Sequence, residues 1–485
     1  MKLLPATLLL AITVARLRAA ALLPVTPEEA YQWMCAHRLD WAFFGAPAGS
    51  AALAHAGMLG LGDGPLGLRL AFPLFAALAS VAAWLLGRAL FGPAVGLWAA
   101  VGLNALPVFN AAALHAGPAM PALALCLLAA WAFVRAFERG LPWWLLAGLL
   151  TALAGQMLYA ANALFLGAVL VGVISPRHRT EWRRPGLYLA LLLVVVASLP
   201  ALRWNQIHDW PAAALGTWRT EFTIAWAEAA SALGTTLFAL AIPAALALVA
   251  GFVLLARAAR IHARPRLILC LAAPFLLLWL RDTLHGGFSG ASLLLAAGIL
   301  AVGAASAFLE SRSLRLAGAA VLILTASVTA FQPPATGDDW QPVAAALGPL
   351  LHQAQPGHAD PIFLIAPDPD ATAALSYHLG QTADGAAHPV FLRESQDLSN
   401  QFGLWPRYDD FVETAKAPDE YFQELKAVNP YLGHSALYLT DEAPEDLPQT
   451  ITSAFGRVTP YATLTLRGNR KLRVYLCEDY QTMPL

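Results

Sequence analysis

The residues best equipped for chemistry lie early in the chain, in Thr26 to Trp41, TPEEAYQWMCAHRLDW. Glu28 and Glu29 are adjacent carboxylates, and Asp40 leads into the aromatic run Trp41, Phe43 and Phe44. A carboxylate at a membrane–water boundary avoids the cost of the hydrocarbon core yet reaches a lipid headgroup. There it can accept a proton from a hydroxyl or hold a hard divalent cation. The same Thr-Pro-Glu-Glu sequence also starts a helix, with acids in the first turn favoured by the dipole. At Glu28 both roles are open, whereas at Glu29 helix capping alone is a sufficient account. Asp40 with its aromatics suits a sugar face, or an interfacial belt with a turn-capping acid.

Further polar candidates follow at the ends of apolar runs. Arg69 could hold a phosphate, since guanidinium matches phosphate geometry, or anchor at headgroup level. His115 could assist it or cap a turn. Trp204 to Ala212, WNQIHDWPA, groups Asn205, His208 and Asp209 with no partner fixed by spacing. Arg281, Asp282 and His285 sit close to hydrocarbon, where polar groups are functional candidates, with an Arg281–Asp282 headgroup-level pair as the structural reading. Cys35, Cys126, Cys270 and Cys477 have neither CxxC nor Cys/His spacing; they read as ordinary free thiols, with a Cys35–Cys477 disulfide open because both would share one compartment.

The elements that position these residues are membrane spans. The 485 residues are 58% hydrophobic and 13% charged, with mean hydropathy +0.57. That composition is too apolar for a soluble chain of this length. A formal net charge of −1 gives no reason to expect nucleic acid. At about 20 residues per crossing, apolar runs fall near 3–23, 66–88, 93–114, 118–137, 141–156, 158–175, 186–203, 232–256, 267–284, 287–309 and 315–331. Arg16 and Arg18 interrupt the first run where a cleaved signal peptide stays apolar, so it reads as a retained helix. Three basic clusters, Arg177 to Arg184, Arg257 to Arg266 and Arg312 with Arg315, share one side if the N-terminus is cytoplasmic. The segment 24–65 and everything after 332 then lie outside. Beyond the Pro/Gly/Asp linker at 332–340, PIFLIA, PVFLRE, SALYLT and KLRVYLCE read as strands. Helices are expected near 369–379, 417–427 and 445–454, making a small α/β domain with no glycine-rich phosphate loop.

At Thr26 to Trp41 the chain resembles the membrane glycosyltransferases of the protein O-mannosyltransferase and aminoarabinose-transferase superfamily, which use polyprenyl-phosphate sugars. Bacterial members commonly read T-P-D-E-A-Y-Y-W and then L-D-W-G-Y-F-D-H-P-P, against TPEEAYQW and LDWAFFGAPA here. GDGPLGLRLAFPLFAALAS, with Arg69, is similar to the family's G-D-S-x-x-G-V-R-L-P stretch. RRPGLYLALLLVVVASLPALRWNQIHDWPA and the tail NQFGLWPRYDD…SALYLT continue the likeness. The departures are at polar positions: Gly45, Ala46, Pro47 and Ala48 stand at D-H-P-P, and Ala119 at an aspartate. Gln156–Met157 replace a lysine–tyrosine pair, and Gly286 to Phe288 a P-N-W stretch.

The resemblance implies an α-helical polytopic membrane protein of about eleven transmembrane helices. Residues 1–332 form the glycosyltransferase-like part, its loop 24–65 carrying the acidic motif, and 333–485 an extracytoplasmic α/β domain. It implies transfer of a sugar from a polyprenyl-phosphate donor to a lipid, glycan or protein acceptor at the cell envelope, in an inner, multi-pass membrane setting. Glu28, Glu29 and Asp40 would be catalytic, with Glu28 able to take a divalent metal ion. Arg69, His115, Arg281 and His285 would bind the donor phosphate. The alternative is an inactive relative that binds lipid-linked sugar or scaffolds envelope assembly, favoured by Gly45, Ala46 and Ala119.

Overall fold

The computed structural model describes residues 4–211, 226–331, 340–354, 362–382, 388–393, 400–414, 426–465 and 471–481. The chain divides into two compact units. The first comprises Met1–Leu23 and Arg38–Thr336, and the second Pro24–His37 and Gly337–Leu485. The helix bearing the acidic pair therefore packs with the C-terminal residues.

The first unit is a bundle of apolar helices. Among the described residues, seven are long and apolar enough to cross a membrane, or eight if the bent pair Pro93–Ala105 and Pro107–Leu114 is one span. The differences from the eleven predicted runs have local causes. The 93–114 run bends by 71° at Leu106, because Pro107 cannot continue the first helix. The 232–256 run becomes Trp226–Leu240 and Ile242–Ala259, broken at Ala241, whose φ is +62° with Pro243 following. The 141–175 stretch is Leu141–Met157, a 3-10 turn over Tyr159–Asn162 and Ala163–Ile174, each shorter than a full span. The 315–331 run begins three residues earlier, as the helix Arg312–Phe331.

Small residues let these helices approach closely, as is usual where lipid supplies no hydrophobic drive between helices. Gly148 lies against the backbone of Ala190, so a Cβ there would come within 2.6 Å of the Ala190 Cα. The core follows the Ala119–Arg139 and Gly290–Phe308 helices, with Phe109, Phe133, Trp144 and Phe275 fully buried.

The loop 24–65 is largely structured. It holds the helix Pro27–His37, a two-residue hairpin pairing Ala42 with Pro47 and Phe43 with Ala46, and the helix Gly49–Leu61. Gly45 sits in the hairpin turn at φ +73°, and a turn with positive φ there calls for glycine.

The second unit is an α/β domain around a five-stranded mixed sheet. Its order is Val390–Leu392, Phe363–Ala366, Ala436–Thr440, Lys471–Tyr480 and Phe455–Thr465. The first three strands are parallel and the last two antiparallel. Alternation splits the core: Leu364, Leu437, Leu439 and Val474 face one side with Leu375 and Leu347. Phe363, Tyr438, Tyr475 and Tyr480 face the other with Tyr408 and Phe455. The helix expected near 369–379 is Pro369–Gly380, while that near 445–454 is reduced to a 3-10 turn and Gln449–Thr452. The one expected near 417–427 lies largely outside the described residues. All four cysteines are buried.

Candidate active site

Glu28 and Glu29 begin the Pro27–His37 helix in the second unit. Thr26 and Glu29 form a capping box: Glu29 Oε2 accepts from the Thr26 N–H at 3.0 Å and from its hydroxyl at 3.3 Å. The Glu29 N–H returns a bond to Thr26 Oγ1 at 3.3 Å. Glu29 is buried and Glu28 exposed, so the first carboxylate holds the helix start and the second faces outward. The helix is fastened by its aromatics. Tyr31 lies 6.2 Å from the Phe402 ring and 6.1 Å from that of Trp405, and Trp33 meets Tyr377 edge-on at 5.6 Å. The motifs TPEEAYQW and NQFGLWPRYDD, far apart in sequence, are thus two sides of one packing contact.

Beside this helix start lies another acidic one. Asp368 caps the Pro369–Gly380 helix, accepting from the Ala371 N–H at 2.7 Å, and Asp370 follows in its first turn. Burial, then the charge of Asp368, then that of Glu28 raise the Asp370 carboxyl above its ordinary range. Glu28 and Asp370 are therefore electrostatically coupled.

The remaining predicted residues belong to the first unit. Asp40 accepts from the Trp204 indole N–H at 2.7 Å and from the Trp41 N–H at 2.7 Å. Trp204 stacks on His208 at 4.1 Å. The LDW and WNQIHDW motifs thus meet through one hydrogen bond. Arg69 is 2% exposed and donates to the carbonyls of Ala20 at 3.0 Å and Leu23 at 2.7 Å, at the C-terminal end of the Leu4–Leu22 helix. Such carbonyls lack partners within their own helix, and a cation there complements the dipole.

His115 caps the Pro107–Leu114 helix and lies so close to Gly117 that a Cβ there would meet its ring at 2.9 Å. Arg281 and His285 flank Asp282 at the end of the Ala263–Leu284 helix, and Gly286 brings this turn against the Glu228 side chain. The Trp226–Leu240 helix, which carries Glu228, contacts both the Pro107–Leu114 and the Ala263–Leu284 helices.

Several polar groups here escaped the sequence reading. Asp370 matters only through Glu28, a partner distant in sequence. Tyr159 and Asn162 sit in the 3-10 turn between two apolar helices. Asn162 Oδ1 is buried with no hydrogen-bond partner among the described residues, and the Tyr159 hydroxyl is buried near the Asn205 side chain. Their signal was the polar spacing QMLYAAN inside an apolar run. Among the described residues, no three His, Cys, Asp or Glu side chains group closely enough to hold a metal ion.

Residues 46–204 match the family model described as dolichyl-phosphate-mannose-protein mannosyltransferase. Among solved structures, the chain is similar to ArnT from Cupriavidus metallidurans bound to undecaprenyl phosphate, with TM-score 0.68, 13% identity and 99% of each chain covered. The apo form of ArnT matches with TM-score 0.65 at 13% identity, covering 97% of each chain. The archaeal oligosaccharyltransferase AglB from Archaeoglobus fulgidus, in complex with an inhibitory peptide and a dolichol-phosphate, matches at TM-score 0.50 and 11% identity. That likeness covers 78% of this chain and 63% of the AglB chain. No curated protein matches the chain by sequence. The family model covers about a third of the chain, and the solved structures, at 11–13% identity, show the fold it shares with them. The chain is a multi-pass membrane protein with an ArnT-like fold, and the resemblance read from its motifs holds.

Proposed function

We propose that the protein transfers a sugar from a polyprenyl-phosphate donor to an acceptor hydroxyl on the extracytoplasmic face of the cell membrane. The observation that carries this reading is the coincidence of the 46–204 family match with an ArnT-like fold over 99% of the chain. In the proposed step the acceptor oxygen bonds to the anomeric carbon as the bond from that carbon to the phosphate oxygen breaks. The electron pair leaves with the polyprenyl phosphate, and the acceptor proton passes to the Glu28 carboxylate. Glu29 positions Glu28 by fixing the helix start, and Asp40, held by Trp204, orients the sugar. His115, Arg281 and His285 stabilise the charge developing on the phosphate, the largest demand of such a transfer. Arg69 acts on the donor through the helix end it caps.

The reading as an inactive relative rests on the losses at Gly45, Ala46 and Ala119, and Gly45 has its own reason in the hairpin turn. The test is transfer of radiolabelled sugar from a panel of polyprenyl-phosphate donors in proteoliposomes, comparing wild type with Glu28→Gln. Glu28→Gln should lower kcat by about two to four powers of ten, the usual worth of a general base, with the donor KM little changed. Equal turnover by both proteins would remove Glu28 from the chemistry.

A further inference from the structure

Away from these residues, the basic end of the bundle holds an open cavity of about 740 Å³, with His262, Arg264, Glu310 and Arg315 among its walls. A second cavity lies between the Pro93–Ala105, Ile242–Ala259, Gly290–Phe308 and Arg312–Phe331 helices. Apart from Trp98, Arg315 and Thr325, its walls are aliphatic, phenylalanine or glycine. Leu309 and Arg315 line both cavities, so the polar vestibule continues into the apolar slot. Along the last helix the slot extends from Arg315 to Thr325, about 15 Å at 1.5 Å per residue. Gly102 keeps it open, since a Cβ there would meet nothing nearer than Leu322 at 3.9 Å.

We propose that these joined cavities bind an anionic phospholipid of the leaflet at the basic end, with one acyl chain in the slot and the phosphate between Arg264 and Arg315. Two features select this occupant. The slot has the length of an acyl chain, and a polyprenyl chain would exceed it. Two guanidinium groups against the single carboxylate of Glu310 give the vestibule a net positive lining, which favours an acidic headgroup over a zwitterionic one. The positive-inside rule puts this end at the cytoplasmic leaflet, where anionic lipids meet juxtamembrane basic residues. Arg266, next in the chain to the lining residue Pro265, donates to the Ala259 carbonyl at 2.9 and 3.1 Å.

The test is native mass spectrometry of the full chain released from vesicles of phosphatidylglycerol and phosphatidylethanolamine. Wild type should retain phosphatidylglycerol selectively, and Arg264→Gln with Arg315→Gln should cut its occupancy about tenfold or more. Gly102→Leu should displace the lipid with every charge intact, while Glu310→Gln should raise phosphatidylglycerol occupancy. The last variant moves retention in the opposite direction to the others, so misfolding cannot imitate the whole pattern. Equal retention of the two lipids, indifference to both Gly102→Leu and Glu310→Gln, or displacement by added polyprenyl phosphate would overturn the proposal.

Discussion

Replacing Arg69 separates a side chain that holds a helix from one that holds a phosphate. The guanidinium is 2% exposed and donates from one nitrogen to two carbonyls at 2.7 and 3.0 Å. Hydrogen bonds from a charged donor contribute roughly 1.5–3 kcal/mol each. The favourable placement at a helix C-terminus adds about 0.3–1 kcal/mol. Taking the lower bound, because both bonds leave one nitrogen, Arg69→Met should cost about 3 kcal/mol or more. On the scale of about 2 °C per kcal/mol, Tm in detergent should fall by about 6 °C. Arg69→Lys keeps the charge but loses the rigid fork, and should lose about half as much. Amide exchange should locate the damage, with protection falling first around Ala20 to Val25. A residue whose work is to bind donor phosphate behaves otherwise: Arg69→Lys would raise the donor KM while Tm and exchange stayed at wild-type values. That outcome, or an unchanged Tm in Arg69→Met, would refute the capping argument.

Other consequences follow from named contacts. The Asp370 carboxyl is raised above its unfolded value by burial, Asp368 and Glu28, so its contribution to stability is present below the unfolded pKa and lost as pH rises through the folded one. Asp370→Asn should therefore raise Tm at neutral pH and flatten the acid side of a Tm–pH profile, and Glu28→Gln should do so more weakly. Tyr31→Ala removes a ring packed on Phe402 and Trp405, and should destabilise the second unit by about 3–5 kcal/mol, read by amide exchange over residues 27–37. Burial pushes the Cys477 thiol up to about 12, so at pH 8 it should resist maleimide until the second unit unfolds. Trp204→Phe deletes the indole donor to Asp40 while keeping a ring on His208. Transfer should fall as far as in Asp40→Asn, and the double variant should be no worse than either single one.

The apolar runs were legible because each span must be long and continuously apolar, and the strands because their alternation is local. The breaks were harder. Ala241 and Leu106 interrupt helices within runs whose composition is uniformly apolar, and only the following prolines marked them. The Phe455–Thr465 strand went unread because it is an edge strand, largely unburied and interrupted by Pro460.

The acidic motif was visible as chemistry, but its setting was not. Sequence alone assigns no role to Tyr31 and Trp33, because their partners Tyr377, Phe402 and Trp405 lie more than 300 residues onward. The capping role of Glu29 was readable from Thr26 alone, since a capping box needs only four consecutive residues. Asp40 and Trp204 were each noticed, yet nothing local joins residues 164 positions apart.

The central claim is that this chain turns over a lipid-linked sugar, and the most direct measurement follows the anomeric carbon itself. Purified protein in liposomes would receive polyprenyl-phosphate sugars labelled at that carbon, and product configuration would be read by NMR. Transfer to an acceptor with inverted configuration, with free polyprenyl phosphate released in equal amount, is the result expected of a single displacement at that carbon. Donor that binds and is recovered intact across the whole panel, or sugar taken from a nucleotide donor instead, would contradict the account.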